Sequence, residues 1–372
     1  MASPIPKTIQ AAVIRNTGAP WVIEDMELAP LRDDEVLVEM VGCGMCHTDI
    51  ACRDGDYPVS LPMVVGHEGA GIIRETGAQV DKIKVGDHVV LSFDSCGGCP
   101  NCDSDKPAYC YSFFEINTSG RRIADQSTPL TQNGEPINAM FFGQSSFATF
   151  AIARMSNAVV IDKSLPLAQM GPLCCGVQTG AGAAVNSLGV GPGNSLLIFG
   201  GGAVGLSALL GARAVGAGEV IVVEPNAERR ALAMELGATH VIDPSAGGDV
   251  LAEVRKLSGG VQFALDTTGR PDVVAVGIEA LLTGGQLGLL GIPPADAMLP
   301  ANMMSMLGRG ITVKAIIEGD SDPQEFIPRM AAWYQEGRFP FDRMIKTFPF
   351  AQINEAAQAS VSGAVVKPVL IF

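Results

Sequence analysis

Cys96, Cys99, Cys102 and Cys110 fall within the fifteen residues CGGCPNCDSDKPAYC, in the spacing Cys-x2-Cys-x2-Cys-x7-Cys. Thiolates this close in sequence can converge on one zinc ion, and four of them fill its tetrahedral coordination. Such a metal pins a loop and leaves no position for a substrate. A second set of metal-ligand types is scattered. Cys46 lies in GCGMCHTDIACRDG, His67 and Glu68 follow in MVVGHEGAG, with His67 21 residues beyond Cys46, and Cys174 and Cys175 stand in GPLCCGVQTGAG. One imidazole with two thiolates gives zinc three protein ligands and an open fourth position, the arrangement of a working metal. Spacing alone does not bring these residues together, and a buried histidine among small apolar cysteines is an equally physical reading.

A third group is the glycine loop LLIFGGGAVGL, where Gly200, Gly202 and Gly205 have Gly-x-Gly-x-x-Gly spacing between an apolar strand and a helix. Glycines there permit the sharp turn and let a pyrophosphate approach the backbone and the positive helix N-terminus. Glu224 ends the next apolar run, EVIVVE, 19 residues beyond Gly205. An acidic side chain at that place accepts hydrogen bonds from ribose hydroxyls and repels a 2′-phosphate, so NAD is expected over NADP. Arg229 and Arg230 lie close enough to weaken that preference.

These residues need elements to hold them. From about residue 178, apolar runs (SLLIF, EVIVV, HVI, FALD) alternate with helical patterns (AVGLSALLGARAV, NAERRALAMELG, VLAEVRKLS), the rhythm of a parallel sheet with crossover helices. Asn226 is placed to cap the second of those helices and Gly237 to end it. Before residue 175 the texture is β-rich, as in EVLVEMVG and GDHVVLS, and after about residue 318 the alternation stops. The expected organisation is α/β with two domains, 1–177 with 318–372 and 178–317, the last segment folding back on the first. The segment 111–140 is expected as a long, functional or interface-packed loop.

With 372 residues, 44 of them glycine, 47% hydrophobic and 17% charged, the chain is long enough for two cores and suits strands buried on both faces. A net charge of −14 disfavours nucleic-acid binding, which needs cationic side chains on phosphates. No apolar run reaches the roughly 18 residues of a membrane span, and MASPIPKTIQ lacks an apolar signal core, so a soluble, cytoplasmic protein is expected. Nine cysteines then read as thiols and metal ligands rather than disulfides.

Taken in order, GCGMCHTD, GHEGAG, the four-cysteine lobe, CGVQTGAG, GGGAVGL and the strand-end Glu224 resemble the zinc-dependent medium-chain alcohol dehydrogenases over nearly the whole chain. The resemblance implies a GroES-like β-rich catalytic domain and a Rossmann-type doubly wound cofactor domain. It implies two zinc ions per subunit, one on Cys46, His67 and Cys175, the other on the four clustered cysteines, together with NAD. Cys175 is favoured over Cys174 because it directly precedes GVQTG. Thr48 resembles the hydroxyl that takes the substrate proton, Asp49 the carboxylate that fixes the metal-binding histidine, and Glu68 a carboxylate beside the metal. His47 and Lys367 resemble pyrophosphate contacts. The histidine that often continues the proton path is replaced by Ala51, and water is expected to stand in for it. A homodimer or homotetramer is implied.

Phe93, Phe141, Phe142 and Ile292 fall where the family lines its substrate pocket, and they suggest a broad apolar slot. LCCGVQTGAGA and IIEGDSDP look most like the aryl-alcohol, or benzyl-alcohol, dehydrogenase branch, with terpene alcohols such as geraniol or perillyl alcohol next. A glutathione-dependent formaldehyde dehydrogenase is the enzymatic rival, and a zinc-stabilised NAD-binding regulator without catalysis is the non-enzymatic one.

Overall fold

The structure is a computed structural model that describes residues 6–372. The chain forms two compact units. The first runs to Cys175 and adds Asp322–Ala332 and Asp342–Phe372; the second comprises Gly176–Ser321 and Trp333–Phe341. The boundaries expected at 177 and 318 depart from these units mainly at Trp333–Phe341. There Trp333, Phe339 and Phe341 stack in sequence at centroid distances of 6.1 and 6.0 Å, and Arg338 donates to the Ala214 carbonyl at 2.8 Å, tying the segment to the second unit.

In the first unit a seven-stranded sheet carries the long strand Glu35–Gly44 near its centre. Val36, Val38 and Met40 on this strand pack with Ile73, Val89 and Leu91 of neighbouring strands, all at most 3% exposed. Each such side chain contributes about 1.5–3 kcal/mol by leaving water. The register is what matters for the site. Gly44 sits opposite Glu68 on one neighbour and opposite Val369 on the other, so the sheet brings the starts of Glu68–Thr76 and Lys367–Ile371 beside the residues that precede Cys46. A Cβ at Gly44 would lie 2.0 Å from a Glu68 carboxylate oxygen, and only glycine leaves room for that side chain.

The second unit is built on six parallel strands in the spatial order His240–Ile242, Glu219–Val223, Ser195–Phe199, Val261–Asp266, Leu281–Leu289, Thr312–Ala315. Helices between them cover both faces, so Leu196, Leu197 and Ile198 are fully buried in succession, as a parallel sheet requires. Asn226 caps its helix by accepting from the backbone of Glu228 and Arg229 at 2.9 and 3.1 Å, and Gly237 follows that helix with φ of +104°. Residues 111–140, read as one long loop, instead form a short helix, Phe113–Thr118, and the antiparallel strands Leu130–Gln132 and Glu135–Ile137. The helix exists because Phe113 and Ile116 bury one side of it. Among the described residues no helix is long and apolar enough to cross a membrane.

Candidate functional site

In the first unit, ligand atoms of Cys46, His67, Glu68 and Cys175 all lie within 4.8 Å of one another. Cys46 is the N-cap of the helix His47–Asp54, and the Asp49 carboxylate accepts from the Cys46 backbone N–H at 3.0 Å, a capping box that fixes the start of the helix. The same carboxylate, fully buried, accepts from the Gly66 N–H at 3.0 Å and faces His67 Nδ1 at 2.8 Å. With Nδ1 engaged, Nε2 is left to face Cys175 Sγ at 3.2 Å. Asp49 therefore sets both the ring orientation and the nitrogen available to a metal.

The thiol of Cys46 is held well below its ordinary pKa, chiefly by its hydrogen bond with Cys175 and by the neighbouring His67. A thiol poised to ionise beside an imidazole whose free nitrogen faces a second sulfur is a donor set suited to zinc. Cys174 points elsewhere: its Sγ donates to the His67 carbonyl at 3.1 Å, while its own carbonyl accepts from Ser92 Oγ at 3.0 Å. Of the two adjacent cysteines, Cys175 is the one in the cluster. Burial pushes the Glu68 carboxyl up, against the pull of Lys367. Both Glu68 oxygens accept from the Lys367 ammonium, at 2.8 and 2.9 Å. Lys367, expected at a pyrophosphate, is 2% exposed and holds this ion pair beside the ligand cluster. Thr48 is half-buried with Oγ1 3.7 Å from Cys46 Sγ, and His47 is exposed at the start of the same helix.

The four clustered cysteines also converge within 4.8 Å, with Cys99 and Cys102 sulfurs 3.6 Å apart and the Cys96 N–H donating to Cys110 Sγ at 3.3 Å. Backbone N–H groups of Tyr111 and Cys102 lower the Cys99 thiol to about 6. Four thiol donors and no other ligand type match a closed tetrahedral zinc.

Aromatic rings surround one side of His67. Phe142 lies 4.6 Å from it with planes tilted by 31°, and Phe141 meets it edge-on at 5.5 Å. Phe113 contacts Phe142 at 6.4 Å and Phe93 at 5.5 Å. Phe93, Phe141 and Phe142 are thus brought together near the ligands. Ile292 belongs to the second unit and is 72% exposed. In that unit Gly200 adopts φ of +98°, and a Cβ at Gly205 would lie 1.9 Å from the Gly200 carbonyl oxygen, which explains the tight strand-to-helix turn. Gly202 caps the helix Ala203–Ala214, and the Glu224 carboxylate is fixed across the loop by the Gly201 and Asn226 N–H groups at 2.6 and 2.8 Å. Arg230 stays beside this turn, donating to the Glu224 and Pro225 carbonyls at 2.8 and 2.7 Å and pairing with Asp243 at 2.8 Å.

Sequence reasoning missed three contributors. Phe113 was hidden in the supposed loop, although its aromatic neighbour and position just past Cys110 were visible. Gln144, 1% exposed, donates to the His67, Leu91 and Ser92 carbonyls and accepts from the Gly69 N–H at 3.0 Å. Asn157, fully buried, makes a similar set of bonds. Neither amide has a sequence signature.

Residues 32–163 match the family described as alcohol dehydrogenase GroES-like domain, and residues 203–336 that described as zinc-binding dehydrogenase. The chain is 52% identical to the geraniol dehydrogenase of Castellaniella defragrans over 364 residues, covering 98% of this chain and 97% of the relative. Among solved structures, an alcohol dehydrogenase zinc-binding domain protein from Burkholderia ambifaria is 47% identical with a TM-score of 0.96, over 98% and 99% of the two chains. The benzyl alcohol dehydrogenase of Acinetobacter calcoaceticus is 43% identical with a TM-score of 0.95, over 99% and 100%. The chain belongs to the zinc-dependent medium-chain alcohol dehydrogenases. Its fold is the GroES-like and doubly wound α/β combination of that family, and zinc and NAD are its cofactors.

Proposed function

We propose that this enzyme reversibly oxidises primary alcohols whose carbinol carbon is joined to an aromatic ring or a double bond, with benzyl alcohol first and geraniol-type terpene alcohols next. The observation that carries this reading is the set of rings Phe93, Phe113, Phe141 and Phe142 extending from the face of His67. A flat, apolar surface beside the ligands favours a planar, unsaturated substituent. Two relatives named for benzyl alcohol and for geraniol support it, since both alcohols carry an sp² carbon next to the carbinol.

Cys46, His67 and Cys175 would hold the working zinc, and Cys96, Cys99, Cys102 and Cys110 the structural one. When bound, zinc supplies Lewis acidity that favours the deprotonated alcohol near neutral pH. Asp49 holds the His67 ring, and the Lys367 ammonium neutralises Glu68 so that this carboxylate does not compete for the open position. Thr48 Oγ1 takes the alcohol proton. The phenylalanine rings keep water from the reacting carbon. Gly200, Gly202 and Gly205 would hold the pyrophosphate of NAD, and Glu224 its adenosine ribose.

Ala51, 8% exposed, offers no acceptor for the proton beyond Thr48, and water takes that role. Ala51→His is expected to add an acid limb to the pH profile of kcat near about 6.5, the ordinary value of histidine, because the new imidazole accepts the proton only when neutral. A profile identical to the parent's between pH 5.5 and 9 would contradict this proton path.

We place the protein in the cytoplasm, where its nine cysteines, none of them in a disulfide, stay reduced. It would assemble through the second unit, whose helix Met303–Arg309 exposes Met303, Met304 and Leu307 at 85, 75 and 78% near the edge strand Thr312–Ala315.

The test is a steady-state comparison of benzyl alcohol, geraniol, ethanol and S-hydroxymethylglutathione with NAD. The expected order of kcat/KM is benzyl alcohol and geraniol at least about tenfold above ethanol, as a matched apolar pocket provides. Preference for the glutathione adduct would overturn the proposal, and inertness toward all four would favour a non-catalytic NAD-binding regulator.

A further inference from the structure

We propose that Asn157 is a specificity-positioning residue, which clasps two walls of the substrate pocket into one surface; the inference rests on the pocket reading above. Asn157 lies between the strands Phe150–Arg154 and Ala158–Ile161, is fully buried, and touches neither a ligand residue nor a ring of the pocket directly by hydrogen bond. Its Nδ2 donates to the carbonyls of Ser92, Phe142 and Gly143 at 3.0, 3.3 and 3.2 Å. Its Oδ1 accepts from the Arg154 N–H at 3.0 Å, which fixes which way the amide faces.

Those three carbonyls belong to two distant segments. Ser92 immediately precedes Phe93, and Phe142–Gly143 is the turn that presents the ring lying 4.6 Å from His67. The turn is an unfavourable one: Phe142 has φ of +50° and Gly143 +66°. A non-glycine residue at positive φ persists only where its surroundings hold it, and such positions gather at functional sites. Asn157 supplies that hold, since two of the three carbonyls that share its two N–H donors belong to the turn. Gln144 completes the frame by donating to His67, Leu91 and Ser92 carbonyls. The amides therefore run from the backbone of a metal-ligand residue, through the end of one strand, to the turn carrying Phe142.

Removing the clasp should release the Phe142 turn and leave the ligands in place. Asn157→Ala is expected to lower kcat/KM for benzyl alcohol about tenfold or more, mainly through KM, while changing that for ethanol less than about twofold, because ethanol does not need the second wall. Asn157→Asp keeps the shape and the Oδ1 acceptor for Arg154 but lacks the donor pair, so it should follow the alanine variant. Zinc content should remain two per subunit. In a crystal structure of either variant, the Phe142 ring should leave the face of His67. An equal loss on both alcohols, or a Phe142 ring still 4.6 Å from His67, would overturn the proposal. Should the parent enzyme show no preference for benzyl alcohol, the pocket reading fails by itself, and the position of Phe142 in the variants still decides the role of Asn157.

Discussion

Cys175→Ser is expected to reduce kcat with benzyl alcohol by well over about a hundredfold, because losing a group that only orients a metal ligand already costs about 10–100-fold. The variant should bind one zinc per subunit instead of two, bind NAD as the parent does, and melt within a few degrees of it. The reasoning is local. Cys175 Sγ faces His67 Nε2 at 3.2 Å and is the hydrogen-bond partner that most lowers the Cys46 thiol, so its loss removes one ligand and weakens a second. The sheet around the cluster is held by its own core and by the register at Gly44, which the substitution leaves alone. Metal analysis, NAD titration and turnover on the same preparation check it. Full activity with one zinc would mean that the working metal lies elsewhere.

Cys99→Ser is expected to do the reverse. The Cys99 thiol, lowered to about 6 by backbone N–H donors, is ionised at neutral pH, and a serine hydroxyl is not. The lobe then loses its metal. A fall in Tm of about 10 °C is the order expected when a closed zinc site is lost from a chain of this kind. Residual turnover per folded molecule should stay within about fivefold of the parent, because no lobe cysteine joins the Cys46, His67 and Cys175 cluster. Differential scanning fluorimetry with metal analysis checks the first part and activity at low temperature the second. If stability held and turnover vanished, the two metals would have been assigned in the wrong order.

The contrast between these variants follows what the sequence could disclose. The lobe was legible because all four ligands lie within fifteen residues, so spacing nearly determines geometry. Asn226 and its helix were legible for the same reason, since a cap acts on residues two and three positions away. Cys46, His67 and Cys175 were not, because a sheet register assembles them, and only their order along the chain pointed to the family. The ion pair between Lys367 and Glu68 was not legible, because its two members lie 299 residues apart. Asn157 and Gln144 left no trace, since a buried amide bonding to backbone carbonyls can come from any part of the chain.

On the proposed reading, the scattered residues around His67 make this chain an alcohol dehydrogenase for benzylic and allylic alcohols. Single-turnover reaction of α,α-dideuterobenzyl alcohol with NAD and the zinc-loaded enzyme tests it most directly, followed by mass spectrometry of the reduced cofactor. The expected products are benzaldehyde and NADH carrying one deuterium on the nicotinamide ring, with no deuterium released to water. Absence of both products, or reduced cofactor without the label, would contradict it.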